Sequence, residues 1–244
     1  MDKLKVGILG ATGIVGQHLT RLLSNHPWFE LQAVAASKAG VGKKYKEYVK
    51  WYIGGHIPDI AAELILTEIS PETLKKEGVE LVFSALPSEI AREVEPLFAK
   101  AGIIVVSDAS AFRMEPDVPI LVPEVNYNHL EIVKYQKRSR NWPAFIITNP
   151  NCTVNILSLS LKPILDNFGI KSVIMVSMQA ISGAGYKGLY AMSIFDNIIP
   201  YIPKEEEKVE RELKKILGRF SGKQIEELPL LVSTSCNRVH VYDG

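Results

Sequence analysis

Apolar runs and helical periodicities alternate along residues 1–149. Residues 4–9 (LKVGIL) form a short apolar run that fits a buried strand, and Ile14, Leu19, Leu22 and Leu23 then recur at helical spacing to about residue 25. Further buried-strand patterns cover 31–36, 64–66, 80–86, 103–106 and 145–148, with helical patterns opening at Pro71 and Ser88. This β-α-β alternation predicts a doubly wound parallel sheet, an α/β architecture. Ser88 is expected to cap the helix that runs to 101, and Asn126 or Asn128 a helix through about 137. The connection 41–60 is aromatic and basic, with Tyr45, Tyr48, Trp51 and Tyr52, and reads as a surface loop or a subunit contact.

The pattern changes after residue 150. Ile156, Leu157, Leu159, Leu161 and Ile164 make a strongly apolar helix that ends before Gly169. Residues 171–180 read as a strand, with Val173, Met175 and Ile181 set against polar Ser172, Ser177 and Gln179. A second glycine turn at 182–185, an extended stretch at 198–203, a charged helix at 204–217 and a last strand region at 230–241 follow. Long strands with separate helices predict a second, α+β domain, so the expected organisation is 1–149 and 150–244.

Composition narrows the function classes. The chain has 244 residues, 47% hydrophobic and 23% charged, with a net charge of +1, which argues against a nucleic-acid or anionic-membrane partner. Two distant cysteines, Cys152 and Cys236, make neither a disulfide framework nor a zinc site, and no metal is expected. With no signal-peptide layout and no membrane-length apolar run, the expected location is the cytoplasm.

Between the first strand and helix lies Gly10-Ala11-Thr12-Gly13-Ile14-Val15-Gly16. Strand, glycine turn and helix are the context of a dinucleotide site, in which the backbone approaches a pyrophosphate at the helix N-terminus. The second strand ends without the acid that binds a ribose 2′-hydroxyl; Ser37 and Lys38 stand there instead and favour a 2′-phosphate, hence NADP, unless they are only a solvated loop. Ser84, Ala85, Leu86 and Pro87 fall at the carboxyl end of a strand, where open α/β sheets bind ligands. Arg113, in the polar loop after the next strand, suits a phosphate through its planar fork, or is a surface arginine. Asn149-Pro150-Asn151-Cys152-Thr153 joins a strand to a helix. A cysteine at a helix start is poised to react as thiolate on an acyl carbon; the alternative is a small packed residue.

Five motifs in order, GATGIVG, SDASAFRMEPDVPILVPEVN, NPNCT, SMQAISGAG and SCNRVHVYDG, resemble aspartate-β-semialdehyde dehydrogenase of the archaeal and fungal type, over essentially the whole chain. The resemblance implies a Rossmann-type NADP-binding domain, then a catalytic and dimerising domain, in a homodimer or homotetramer. It implies reduction of L-aspartyl-4-phosphate to the semialdehyde with release of inorganic phosphate, toward lysine, methionine and threonine. Cys152 would be the nucleophile and Gln179 would orient the acyl group. Arg238 would grip the substrate carboxylate, and Arg113 with Lys208 the phosphate. Glu205 would meet the substrate ammonium, with Glu206 and Glu207 as alternatives, and Ser182 and Gly183 would lie near the nicotinamide.

The family's acid/base histidine directly follows the glycine of its R-V-x-V-x-x-G-H pattern, and this sequence reads to that glycine, Gly244. His240 does not match the slot. The sequence is therefore expected to be a fragment, and 244 residues alone to show negligible turnover. Related readings are a malonyl-CoA reductase, the more distant N-acetyl-γ-glutamyl-phosphate reductase, or a non-catalytic NADP-binding protein.

Overall fold

The computed structural model describes residues 2–185 and 188–242 and divides into two compact units. The first comprises Met1–Val118 and Ile132–Asn149, the second Pro119–Glu131 and Pro150–Gly244.

The first unit is a six-stranded parallel sheet in the order β3-β2-β1-β4-β5-β6. The strands are β1 (Leu4–Leu9), β2 (Phe29–Ala35), β3 (Leu66–Thr67), β4 (Leu81–Ser84), β5 (Ile104–Ser107) and β6 (Ile146–Thr148). The chain runs outward from β1 to one edge, returns, and continues to the other edge, which is the doubly wound connection expected from the sequence. Successive residues face opposite sides of the sheet. Val82, Val105 and Ile146 pack with Phe98 and Ala99 of the Ser88–Lys100 helix on one side. Val6, Ile8 and Val34 pack with Leu23 and Tyr45 on the other. Both faces are covered, so the strands read as continuous apolar runs rather than alternating ones.

The carboxyl ends are in register. Leu9 pairs with Ala35 and Ser84, and Ser84 and Ser107 continue the row to Thr148. Glu95, buried beneath this row, accepts a 2.6 Å hydrogen bond from Ser107 Oγ, and burial pushes its carboxyl up. Ser88 is not the cap of its helix: Pro87 holds that position and no side chain caps it. Ser88 Oγ instead meets Ser110 Oγ at 2.8 Å and accepts the Ser110 N–H, tying the helix to the loop after β5.

In the second unit β7 (Ser172–Gln179), β8 (Ile198–Pro200) and β11 (Leu231–Val239) form a sheet in the order β7-β11-β8, parallel on one side and antiparallel on the other. A two-stranded hairpin, β9 (Arg219–Phe220) and β10 (Ile225–Glu226), was not evident from the sequence; two residues per strand are too few for a period to register. The expected polarity of β7 also needs correction. Val173 and Met175 share one face with Ser177 and Gln179, while Ile174, Val176 and Met178 form an exposed apolar row on the other.

Residues 119–131, grouped with the first domain in the sequence reading, pack with the second unit. A buried histidine explains the difference. His129 Nδ1 accepts from Asn126 Nδ2 at 3.0 Å, so Nε2 carries the proton and donates to Gly218 O at 3.1 Å. Asn126 is not the cap of a long helix. Its side chain accepts the Val122 N–H and donates to Ile120 O, closing a tight loop, and the run to Arg140 is broken into separate turns.

Burial holds the His129 imidazole below its ordinary value of 6.5. The unfolded chain therefore takes up this proton first on acidification, and the stabilisation from neutral His129 is complete above pH 6.5 and lost as pH falls toward the folded-state value. Thermal unfolding should show wild type more stable than His129→Gln at about pH 7.5, with the gap narrowing by about pH 5.5. A gap that stays constant or widens contradicts this assignment.

Candidate active site

In the first unit the glycine turn sits between β1 and the Ile14–Leu23 helix. Gly10 has φ +80° and passes so close to β4 that a Cβ would lie 2.8 Å from Ala85 O. At Gly16 a Cβ would fall 2.2 Å from Gly10 O, so only glycine lets the first helical turn rest on the loop. At Gly13 a Cβ would make only an ordinary contact, 3.7 Å from Gly10 O. No side chain caps the helix and no acidic residue occupies its first turn, so its Ile14, Val15 and Gly16 end is left to an anion. This cradle fits the pyrophosphate of a dinucleotide. Thr12 lies within the turn, and Ser84 to Pro87 continue β4 directly beside Gly10, with the Ala85 N–H bonded to Leu9 O. Ser37 and Lys38 follow the end of β2 and are both exposed, which suits a phosphate ligand.

Arg113 also belongs to the first unit. It is buried rather than on the surface, and its Nη2 donates to Asp108 O at 2.8 Å, bracing the loop after β5.

The second unit holds the cysteine. Cys152 is exposed and is the first residue of the Cys152–Phe168 helix. Asn151 is the N-cap: its Oδ1 accepts the N–H groups of Thr153 at 2.9 Å and Val154 at 3.4 Å. Such a cap is worth about 1 kcal/mol. The donors of Asn151 go to the Glu205–Ile216 helix. Its backbone N–H donates to Glu212 Oε2 at 2.7 Å and its Nδ2 to Glu205 Oε1 at 2.8 Å. Glu205 and Glu212 are seven residues apart, two helical turns, and share one face. Both are buried.

Gln179 Nε2 lies 3.5 Å from Glu205 Oε1 and donates to Ser177 Oγ at 3.1 Å. The parallel register sets Arg238 beside Gln179 and Cys236 beside Ser177. Arg238 is buried, and its Nη1 donates to Ala180 O at 2.6 Å. It lies against Gly183, where a Cβ would come 2.8 Å from Nη1; the Ser182 N–H donates to Tyr242 O. Lys208 Nζ stands 3.9 Å from Glu205 Oε2 on the same helix.

Among the three consecutive glutamates the surroundings differ. Glu206 accepts the Cys236 N–H at 2.9 Å and anchors β11, while Glu207 accepts from the Tyr201 hydroxyl at 3.3 Å on the surface. Only Glu205 turns toward Asn151 and Gln179. Cys236 is buried, and burial pushes its thiol up. His240 is exposed and packs on the Phe195 ring at 4.9 Å. Asp243 and Gly244, which end the SCNRVHVYDG motif, lie outside the described residues.

The sequence reading missed Glu212 and the capping role of Asn151. Asn immediately before a helix start is a recognisable cap signal, and the spacing from Glu205 to Glu212 could have placed both carboxylates on one face. Neither signal reveals that the two carboxylates meet the same asparagine. Among the described residues no cluster of metal-ligating side chains is present and no helix is long and apolar enough to cross a membrane.

The chain matches two family descriptions: semialdehyde dehydrogenase, NAD binding domain, over residues 5–133, and semialdehyde dehydrogenase, dimerisation domain, over residues 161–244. An aspartate-semialdehyde dehydrogenase of Archaeoglobus fulgidus is 52% identical over 242 residues, which is 99% of this chain and 69% of that protein. The crystal structure of aspartate semialdehyde dehydrogenase with NADP from Candida albicans superposes with a TM-score of 0.90 at 41% identity, covering 99% of this chain and 69% of that one. The Vibrio cholerae aspartate semialdehyde dehydrogenase II complexed with ASA gives a TM-score of 0.78 at 26% identity, covering 99% of this chain and 72% of that one. With a glycine-lined dinucleotide cradle in one unit, a capped cysteine in the other and these likenesses along its whole length, the chain belongs to the aspartate-semialdehyde dehydrogenase family.

Proposed function

We propose that the protein reduces L-aspartyl-4-phosphate to L-aspartate-4-semialdehyde with NADPH, releasing inorganic phosphate, in the synthesis of lysine, threonine and methionine. The single observation that carries this reading is the exposed Cys152 at a helix start fixed by Asn151, with Glu205, Gln179 and Arg238 grouped in the same unit.

Cys152 attacks the acyl carbon as thiolate; the carbon–oxygen bond to phosphate breaks and a thioester forms on the sulfur. When bound, NADPH would supply the hydride that reduces that acyl carbon. The carbon–sulfur bond then breaks, returning the thiolate and freeing the aldehyde. Gln179 orients the acyl group. Glu205 receives the substrate ammonium, and the Arg238 fork holds the carboxylate, opposite charges for the two ends of an amino acid. Lys208 and Arg113 serve the phosphate. Glu212 keeps the Asn151 N–H fixed and so holds the nucleophile in place.

In the first unit Gly10, Thr12, Gly13, Ile14, Val15 and Gly16 cradle the pyrophosphate, Ser37 and Lys38 take the 2′-phosphate, and Ser84 to Pro87 border the site. Ser182 and Gly183 approach the nicotinamide. The exposed row Ile174, Val176 and Met178 lies inside the segment matched as a dimerisation domain and supports a homodimer or homotetramer. The same reading places the enzyme in the cytoplasm.

Assay of the full-length enzyme should show turnover with aspartyl phosphate and NADPH, and NADH should serve about tenfold or more less efficiently, because charge-assisted contacts to the 2′-phosphate are lost. Activity with malonyl-CoA alone would sink the substrate assignment, and equal efficiency with NADH the role of Ser37 and Lys38. Iodoacetamide at neutral pH should label Cys152 before the buried Cys236, with activity lost in step; preferential labelling of Cys236 overturns the nucleophile. Glu212→Ala should lower kcat by about 10–100-fold with KM little changed, since small displacements of a nucleophile are costly. Glu212→Gln, which keeps an acceptor for the Asn151 N–H, should recover most of that loss. Equal loss in both variants speaks against a positioning role.

A further inference from the structure

The aromatic connection 41–60 carries no role in the sequence or in the chemistry above, yet it reaches the glycine turn through buried polar contacts. Tyr45 is fully buried, and its hydroxyl donates to Ala11 O at 2.8 Å. Burial pushes this phenol up to about 12, so the proton it donates stays in place at any working pH. Gln17 is likewise fully buried. Its Nε2 donates to Thr12 O at 3.0 Å and Lys50 O at 2.9 Å, and its Oε1 accepts the Tyr52 N–H at 2.8 Å. Two consecutive carbonyls of the turn are therefore held by side chains from behind.

The connection that delivers these contacts is itself pinned to the sheet edge. Gly42 N donates to Leu66 O, Leu66 N to Lys43 O and Tyr45 N to Leu64 O, all at 2.8–2.9 Å. In a planar trans peptide the C=O of one residue and the N–H of the next point in opposite directions. Holding Ala11 O toward Tyr45 thus aims the Thr12 N–H away from the core. Holding Thr12 O does the same for the Gly13 N–H, which is taken by Gly10 O at 3.2 Å. The Thr12 N–H makes no hydrogen bond among the described residues. It stands beside the uncapped helix end as a donor oriented before any ligand arrives.

We infer that Tyr45 and Gln17 are positioning residues for the cofactor, holding the Ala11 and Thr12 carbonyls inward so that the Thr12 N–H faces the pyrophosphate. The inference rests on the reading that NADP occupies the glycine turn. Pre-orientation matters because a loop that must be ordered on binding spends part of the contact energy on that ordering.

The test is a direct NADP titration, by calorimetry or tryptophan fluorescence, without turnover. Tyr45→Phe keeps the ring and removes the donor; Gln17→Leu removes three contacts. Gln136 is a matched control: it is buried in the same unit and makes three comparable bonds, to Asp117 O, Ile146 O and the Ile146 N–H, none with the glycine turn. Tyr45→Phe and Gln17→Leu should raise the Kd for NADP about five- to tenfold, the loss expected from one or more hydrogen bonds. Gln136→Leu should lower the thermal midpoint comparably and leave Kd within about twofold of wild type. Wild-type affinity in both test variants, or equal weakening in the control, overturns the inference while leaving the cofactor reading intact. A wild-type protein that does not bind NADP overturns both. Should the variants not fold, amide exchange in the wild type decides: NADP should slow exchange of the Thr12 amide, and an unchanged rate refutes the proposal.

Discussion

A helix that begins immediately after Pro150-Asn151 leaves its first N–H groups without partners, and one asparagine resolves this in the second unit. Asn151 Oδ1 takes two of those groups, and the remaining donors of Asn151 are claimed by Glu212 and Glu205. Leaving a buried carboxylate without donors costs more than the net gain of an ordinary hydrogen bond. The positions of the Cys152 turn and of the Glu205–Ile216 helix are therefore mutually fixed. Glu206, one residue along that helix, carries the restraint to β11 through the Cys236 N–H, and the register of β11 on β7 places Arg238 beside Gln179. The cysteine, the carboxylate, the amide and the guanidinium are thus arranged by one chain of hydrogen bonds.

The first unit works on a different principle. Its ligand surface is mostly backbone, and side chains act from behind it. Gly10 and Gly16 are required by closeness, since a Cβ at either would strike backbone oxygen. Tyr45 and Gln17 hold the turn's carbonyls, while Glu95 and Ser107 brace the row of carboxyl ends from which the Arg113 loop departs. Buried polar groups in this unit are spent on the shape of loops rather than on the strength of the core. Tyr45, Gln17 and Ser107 are tolerated there because each has a partner at short range.

The second unit keeps apolar surface exposed. Ile174, Val176 and Met178 on β7, and Ile156 and Phe168 on the Cys152–Phe168 helix, are open in the single chain. The β7 row explains why the strand looked only half amphipathic in sequence. Ser177 and Gln179 share the inward face with Val173 and Met175, while Ile174, Val176 and Met178 face outward. Hydrophobic patterning presumes an apolar interior and a polar exterior, and it misleads where polar side chains are turned inward and an apolar row is left open.

The doubly wound sheet, the glycine turn, the cysteine at a helix start and the family itself were legible because each depends on local periodicity or on short motifs. A strand buried on both faces needs a run of apolar residues, and a helix resting on a turn needs glycine at Gly16. The sequence by itself determined these things, since they are set by contacts within a few residues or by the repeat of one element. Other features had no such signature. Which of three adjacent glutamates faces Asn151, that Glu212 joins it, that residues 119–131 pack with the second unit through His129, and that Tyr45 supports Ala11 were decided by the tertiary structure. Each of these is a hydrogen bond between residues 34 to 89 positions apart. Burial makes such a bond obligatory once the elements meet, and nothing in the local pattern of either partner says where the other will be.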